Sequence, residues 1–332
     1  MELLRGAFGA GKTAPFLDPA LLAWKYDEPR PDWPGSRSYA WMAGEEIAAH
    51  ACICPATYRL PNGREITGSQ FIDWAAGRRV VGAGGLLVRK LASMFDVLLA
   101  IGGSDDTQQV LPRLGFQAAG KSEIFVRVMR PWRQFRTDPF PRGWKAGPRL
   151  ARNWLWSRTH MPDAPARWTC SPLTAFDNSH EALLQAPVPF PASRRTPALM
   201  NYWLRCPGAA ISAFVVSDDS GPKGWFLLSR IAGVMRIADL RVISGEAADW
   251  EAAFALATRA AYQDPLGCEL ASAATIPLTA EAIRRNGFHL RKTDPVFVLD
   301  PKGVLLPHMP VEITMIESDA AYLYTPEYPY LS

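Results

Sequence analysis

The chain has 332 residues, of which 48% are hydrophobic and 20% are charged, and its formal net charge is +4. These values are typical of a packed protein and exclude a disordered, collagen-like or coiled-coil chain. At roughly 150 residues per domain, the length predicts about two domains. Five cysteines are too few for a disulfide framework. No secretory or membrane-spanning pattern is present, so we expect a cytoplasmic protein without a membrane partner.

The first third of the sequence has a strand-rich pattern that ends in two strand–helix alternations. A short helix is expected over 17–26, because Asp18 can cap it and Pro19 suits its first position. The further predicted elements are, in order, strands over 38–43, 46–60 and 64–76, a glycine-rich turn over 77–85, a helix over 86–95, a strand over 96–103, a helix over 105–116 and a strand over 121–129.

The second half repeats this order after a segment of different composition. Residues 131–170 are rich in Arg, Trp and Pro and predict a linker with one short helix near 148–158. The same β-β-β-α-β-α-β order then recurs, and Asp73 matches Asp239 in position. We interpret this as a duplication. The predicted parts are an N-terminal domain (1–135), a basic linker (136–170), a C-terminal domain (171–305) and an acidic tail (306–332).

A phosphate-loop pattern, G-x-x-x-x-G-K-T, occupies residues 6–13. That motif binds nucleotides when a core strand precedes it and a helix follows it. Only five residues precede it here, and Pro15 and Pro19 interrupt any following helix. We therefore interpret this segment as an N-terminal arm without nucleotide chemistry.

The glycine-rich turn is the strongest candidate for a ligand site. Residues 79–84 read Arg-Val-Val-Gly-Ala-Gly and join a predicted strand to a predicted helix. Small residues let several backbone N–H groups point at one spot, and the helix N-terminus adds partial positive charge. Arg78 and Arg79 add formal charge. This combination is typical of a pyrophosphate site.

With this turn, the chain resembles the GCN5-related N-acetyltransferase (GNAT) superfamily. The resemblance rests on RVVGAG (79–84), the strand ending FID (71–73), the strand DVLLAIGG (96–103) and the helix ending RLGF (113–116). It implies a mixed α/β protein with two tandem acyl-CoA N-acyltransferase folds, each a mostly antiparallel twisted sheet flanked by helices. The second half lacks the phosphate turn, because VISGEAADW (242–250) has one glycine and two acids that would repel a pyrophosphate.

The resemblance implies direct transfer of an acyl group, with acetyl-CoA as co-substrate and no metal, to an amine of a small molecule or peptide. Pantetheine would lie beside the third strand, where a backbone N–H polarises the thioester. Asp73 is the first candidate for the base that removes the amine proton, and Glu65, Tyr58 and His50 are weaker candidates. The residues expected to contact the cofactor are Trp74, Ala75, Arg78, Arg79, Val80, Val81, Gly82, Ala83, Gly84, Gly85 and Ser104.

Two features leave other functions open. The helix before the GF pair has no tyrosine that could protonate the leaving thiolate, so a non-catalytic binding or scaffold protein of the same fold is an alternative. The Trp- and Arg-rich segment could hold nucleic acid, because basic residues contact phosphates and aromatic rings stack on bases. An aminoacyl-tRNA-dependent transferase is therefore a further alternative, although nucleic acid is not the favoured partner.

Overall fold

The structure, a computed structural model, describes residues 2–9, 11, 14–77, 79–137, 143–326 and 329–332. The chain divides into two compact units, and neither unit is continuous in the sequence. The first comprises Met1–Ser122, Phe190–Arg194 and Asp294–Glu312. The second comprises Glu123–Pro189, Arg195–Thr293 and Ile313–Ser332.

The described part of the chain contains the following helices and strands, in chain order: α1 (Glu2–Ala7), α2 (Pro19–Leu22), β1 (Ser38–Ala43), β2 (Glu46–Arg59), β3 (Glu65–Ala76), α3 (Ala83–Ala92), β4 (Val97–Ile101), α4 (Asp105–Val110), β5 (Gln117–Val128), α5 (Pro131–Thr137), α6 (Ala146–Ser157), β6 (Thr169–Leu173), α7 (Glu181–Leu184), β7 (Ala192–Ser193), α8 (Pro197–Leu204), β8 (Ala210–Asp218), β9 (Gly221–Ile231), β10 (Val234–Val242), α9 (Ala247–Gln263), β11 (Glu269–Ala274), α10 (Pro277–Arg285) and β12 (His289–Leu299).

In the first unit, β1, β2 and β3 pair antiparallel, and β3 pairs parallel with β4. Helix α3 packs on one face of these strands, where Leu87, Val88 and Leu91 of the helix meet Ile53 and Phe71 of the sheet in a buried apolar cluster. Helix α2 continues into a π-helical turn. Asp18 caps α2, because its side chain accepts hydrogen bonds from the backbone amides of Ala20 and Leu21 at 2.9 and 3.0 Å. This confirms the predicted cap.

In the second unit, β6, β8, β9 and β10 pair antiparallel in that order, and β10 pairs parallel with β11. Strand β10 is buried along its whole length. Helix α9 is alanine-rich and lies close to β9 and β10, and Trp250 and Phe254 on this helix are completely buried. The second unit therefore repeats the strand order of the first, and the predicted mixed α/β fold class is confirmed.

The closing strand of each unit differs from the sequence prediction. We expected 121–129 to close the first half and 295–300 to close the second. Instead, Val296–Leu299 of β12 pair with β4 in the first unit, and Glu123–Val128 of β5 pair with β11 in the second. Both strands are buried and rich in Val and Phe. Such a pattern identifies a core strand without specifying its partner, so the sequence alone could not reveal this arrangement.

The predicted linker is folded within the second unit. Helix α6 confirms the short helix expected near 148–158, and α5 precedes it. At the opposite end of the chain, α1 covers the first residues of the phosphate-loop pattern. Lys12 and Thr13 of that pattern lie outside the described residues.

Candidate functional site

An opening separates β3 from β4 in the first unit. Among the described residues, these strands pair only over Gly68–Gln70 and Val97–Leu99. Beyond this point β3 continues beside β2 as far as Ala76, and β4 continues beside β12 as far as Ile101. The two strands therefore diverge, and their backbone groups on the facing edges are available to an inserted ligand.

The glycine-rich turn lies directly after β3 and forms the start of α3. Gly82 occupies the N-cap position with φ at +86°, in the left-handed region that favours glycine. A side chain at Gly82 would meet no atom within 4 Å, whereas one at Gly84 would meet Trp74 Nε1 at 3.2 Å. Gly82 thus shapes an exposed turn, and Gly84 lets the helix approach β3 closely.

The turn is accessible. Val81 is 95% exposed, and Arg79 forms a solvent-exposed ion pair with Glu46 at 3.1 Å. Such a pair contributes little to stability, so this arginine can exchange its partner for an anion at small cost. This turn and the first turn of α3 also contain Val80, Gly82, Ala83 and Gly85. The backbone amides at the start of a helix have no partner within the helix. Arg78 lies outside the described residues.

Strand β3 contains a β-bulge at Asp73. His50 pairs with Ala75 and Cys52 pairs with Ile72, so Asp73 and Trp74 together face a single residue of β2. The φ angle of Asp73 is +51°, a left-handed conformation that aspartate tolerates better than most residues. The bulge turns the Asp73 side chain towards the π-helical turn after α2 and its carbonyl oxygen towards His50.

The Asp73 carboxylate is held in a buried ion pair. Its Oδ2 accepts a hydrogen bond from Lys25 Nζ at 2.6 Å and another from the Tyr26 hydroxyl at 2.7 Å. The Lys25 and Asp73 side chains are 4% and 8% exposed. Burial, followed by the charge of Asp73, raises the pKa of Tyr26, so the hydroxyl stays protonated and continues to donate. Asp73 therefore has two strong donors on one oxygen.

His50 is nearly buried and uses both ring nitrogens. Nδ1 lies 3.1 Å from the carbonyl oxygen of Asp73, and Nε2 lies 2.9 Å from Ser38 Oγ. Because a carbonyl oxygen can only accept, Nδ1 carries the proton and Nε2 accepts from the Ser38 hydroxyl. Burial is the largest cause that lowers the pKa of His50, and Lys25 adds to the effect. The ring is therefore neutral at pH 7.

The other predicted site residues lie elsewhere. Glu65 forms ion pairs with Arg59 and Arg194, and Tyr58 is 1% exposed. Glu65 precedes Asp73 by eight positions on β3, a separation of about 26 Å along an extended strand. Ser104 caps α4 by accepting a hydrogen bond from the Thr107 amide. Trp74 and Ala75 lie on the divergent part of β3. The structure thus groups Asp73, Trp74, Ala75 and the turn, and places Glu65 and Tyr58 away from them.

The second unit contains a similar bulge and a similar ion pair. The register between β10 and β9 shifts next to Asp239, and the Asp239 carboxylate accepts from Arg195 Nε at 2.9 Å. These side chains are 0% and 1% exposed. Asp73 and Asp239 therefore occupy corresponding positions in the two units. In each unit the third strand, β3 or β10, has a bulge at which an aspartate pairs with a buried cation.

The corresponding opening in the second unit is filled by the chain itself. Among the residues that the structure describes, strand β10 pairs with β11 only over Val234–Arg236. Beyond that point the Ile313 amide donates to Thr275 Oγ1 at 2.8 Å, and Arg195 donates to Thr314 Oγ1 at 3.2 Å. Residues 315–317 continue as a buried 3-10 turn. Helix α9 begins after Glu246, a negatively charged side chain where the first unit has Gly82.

Comparisons with known proteins agree with this architecture. No protein-family model and no curated protein sequence matches the chain. Among solved structures, a GCN5-related N-acetyltransferase from Anabaena variabilis has a TM-score of 0.56 at 13% identity, and the match covers 90% of this chain and 69% of that one. A tandem GNAT protein from the clavulanic acid biosynthesis pathway has a TM-score of 0.55 at 12% identity, with 90% and 93% covered.

N-myristoyltransferase from Saccharomyces cerevisiae, solved with bound myristoyl-CoA and inhibitors, has a TM-score of 0.55 at 10% identity, with 85% of this chain and 71% of that chain covered. The chain therefore has the fold of the GCN5-related N-acetyltransferases. At the level of the fold, this confirms the resemblance seen in the sequence.

No described helix is both long and apolar enough to cross a membrane. Within the described residues, no three His, Cys, Asp or Glu side chains are grouped so that they could hold a metal ion.

Proposed function

We propose that the protein is an acyl-CoA-dependent N-acyltransferase whose first unit binds the co-substrate. The observation that carries this proposal is the divergence of β3 and β4 directly beside the exposed turn at Gly82. A pantetheine arm needs a slot lined by backbone groups, and a diphosphate needs free amides at a helix start. In the first unit, the opening beside β3 would supply the slot and the turn at Gly82 would supply the amides.

Strand β3 has two buried polar side-chain atoms, one at the last position that pairs with β4 and one on the divergent part. Gln70 Oε1 and Trp74 Nε1 are both buried, and neither has a hydrogen-bond partner among the described residues. An unsatisfied buried polar group costs about 1–3 kcal/mol. A ligand that carries amide groups, as pantetheine does, could satisfy such atoms. Arg79 and the amides of 80–84 would hold the diphosphate, and the amides near Trp74 would polarise the thioester carbonyl.

The proton path of this proposal runs through Ser38 and His50. Asp73 is already bound by a cation and a hydroxyl, so we assign it the role of positioning residue: its carbonyl oxygen fixes the tautomer of His50. Ser38 is half-buried, and its hydroxyl proton points at the free lone pair of His50 Nε2. An incoming amine that donates to Ser38 Oγ would therefore pass its proton to His50.

The proposed reaction forms one bond and breaks one bond. The amine nitrogen attacks the acyl carbon and the carbon–sulfur bond breaks, giving an amide and a thiolate. The amine proton moves to Ser38 Oγ as the Ser38 proton moves to His50 Nε2. The thiolate then takes up the proton that His50 Nε2 gives back through Ser38 Oγ, so the imidazole returns to its neutral form and the proton lost by the amine ends on the thiol. Acetyl-CoA as donor, and an amine of a small molecule or peptide as acceptor, are the specific form of this proposal.

Calorimetric titration of the full chain with acetyl-CoA tests the cofactor site. We expect Gly82→Glu to weaken binding at least about tenfold, because it places a carboxylate beside the negatively charged diphosphate. Gly63→Glu is the matched control: Gly63 has φ at +82°, lies in an exposed turn, and a side chain there meets no atom within 4 Å. This control should bind acetyl-CoA as the wild type does. Equal affinities for both variants, or no binding by the wild type, would contradict the proposal.

A further inference from the structure

Helix α6 exposes Trp154 and Leu155 to solvent and turns the polar Asn153 and Arg149 towards the protein. Asn153 is 3% exposed and donates to Gln134 Oε1 at 2.9 Å, and Arg149 donates to the Ser332 carbonyl at 2.7 Å. On the outer side, Ala151 is exposed and Leu155 is 62% exposed. A surface helix of a globular protein normally has the opposite arrangement. The outward apolar side therefore requires an explanation.

Large aromatic side chains extend this apolar surface. Trp132 on α5 is 62% exposed, Trp144 just before α6 is 83% exposed, and Trp154 is 38% exposed. Helices α5 and α6 lie next to each other. We use the name α5–α6 surface for four exposed apolar residues and three cations. These are Trp132, Trp144, Trp154, Leu155, Arg130, Arg133 and Lys145.

The α5–α6 surface is cationic, with no acidic residue among positions 130–137 and 143–160. Among the described residues of this surface, Arg130, Arg133 and Lys145 contact neutral groups. Arg130 and Arg133 donate to backbone carbonyls of Tyr262 and Pro265, and Lys145 lies over the ring of Trp144. These contacts do not neutralise the charges of Arg130, Arg133 and Lys145, whereas Arg149 and Arg152 interact electrostatically with the buried Glu269 carboxylate.

We propose that the α5–α6 surface binds an anionic lipid bilayer from one side, with Trp144 and Leu155 inserted at the level of the headgroups. A helix that combines an apolar face with flanking cations lies in the plane of the membrane interface. Tryptophan favours this interface because its ring is apolar and its N–H is polar. The cations add attraction to acidic headgroups.

The ring contacts favour a bilayer over RNA. Base stacking needs a free aromatic face, but the Arg158 guanidinium lies 3.5 Å from the centre of the Trp154 ring. The Trp156 ring stacks on His289 at 4.1 Å. Leu155, among the most exposed apolar residues here, cannot stack on a base but gains free energy when it enters lipid. The chemistry of the surface therefore matches acyl chains and acidic headgroups.

Co-sedimentation of the full chain with vesicles tests this proposal. We expect binding to phosphatidylcholine vesicles that contain phosphatidylglycerol, and weaker binding to pure phosphatidylcholine. The double variant Trp144→Ala/Leu155→Ser should lower the partition coefficient at least about tenfold, because it removes two inserted apolar groups. Lys145→Gln should lower it about fivefold at low salt. Met42→Ser, at a site that is 50% exposed in the first unit, is the matched control and should bind as the wild type does.

Binding of a labelled single-stranded RNA to the protein, measured by fluorescence anisotropy, tests the alternative partner. The proposal is overturned if the wild type binds this RNA but not the acidic vesicles, if it binds neither, or if the double variant and Met42→Ser bind vesicles equally. Circular dichroism of each variant establishes that its fold is intact, so a loss of binding is not a loss of structure.

Discussion

His50→Gln is expected to lower kcat about 100- to 1,000-fold at pH 7, with little change in the affinity for acetyl-CoA. This is the usual contribution of a positioned general base, and the substitution removes the Nε2 atom that accepts the Ser38 proton. Ser38→Ala should show a similar loss, because it removes the group through which the proton passes. Initial rates with a panel of small amines and peptides measure both effects.

The pH profile separates this role from a structural one. Burial lowers the pKa of His50 below its ordinary value of 6.5, so kcat/KM should be flat near pH 7 and fall only as the pH drops below 6.5. The His50→Gln variant should lose this acid limb. His160→Gln alters an exposed histidine of the second unit and should leave rate and profile unchanged. An acid limb retained in His50→Gln, or a rate within about threefold of wild type, would refute the proton path.

Lys25→Met is expected to destabilise the protein by about 3–5 kcal/mol, because removal of one partner leaves a buried charge uncompensated. The Asp73 carboxylate would keep only the Tyr26 hydroxyl as a donor. Lys25→Met/Asp73→Asn should recover most of this loss, because asparagine carries no charge and tolerates the left-handed backbone of position 73. Urea unfolding of the three proteins gives the free energies of unfolding.

Arg79→Met provides the matched comparison for this ion pair. It breaks an ion pair of the first unit whose side chains are 84% and 70% exposed, against 4% and 8% for Lys25 and Asp73. Solvent and salt screen exposed pairs, so this variant should unfold at nearly the wild-type urea concentration. If Lys25→Met and Arg79→Met were equally stable, the buried pair would not have the structural importance that we give it.

Local signals in the sequence were sufficient for many of the elements and for the glycine-rich turn. The Asp18 cap and the small residues at 82–85 act over a few positions, so a single sequence reveals them. The closing strands of the two units depend instead on contacts between distant residues. Residues 296–299 are all apolar, and residues 123–128 include four apolar residues beside Glu123 and Arg127, but hydrophobicity does not say which strand pairs with which.

The difference between local signals and contacts of distant residues also explains which parts of the candidate site could be predicted. Asp73 stands out at the end of a predicted strand, but its partners Lys25 and Tyr26 are nearly fifty positions earlier, in a segment expected only to be a short helix. His50 lies between alanines, which suggests packing; its role emerges from the bulge that turns the Asp73 carbonyl towards it. The signal that could have drawn attention to this cluster is the polar sequence Lys25-Tyr26 inside an otherwise apolar helix.

A crystal structure of the protein with acetyl-CoA is the most direct test of the account. We predict pantetheine density between residues 72–76 of β3 and residues 100–103 at the end of β4, with the diphosphate at the amides of 80–84. The second unit should hold none, because residues 313–317 occupy its opening. Density for the co-substrate beside β10, or none at the Gly82 turn at saturating acetyl-CoA, would contradict the assignment of the first unit as the acyl-CoA site.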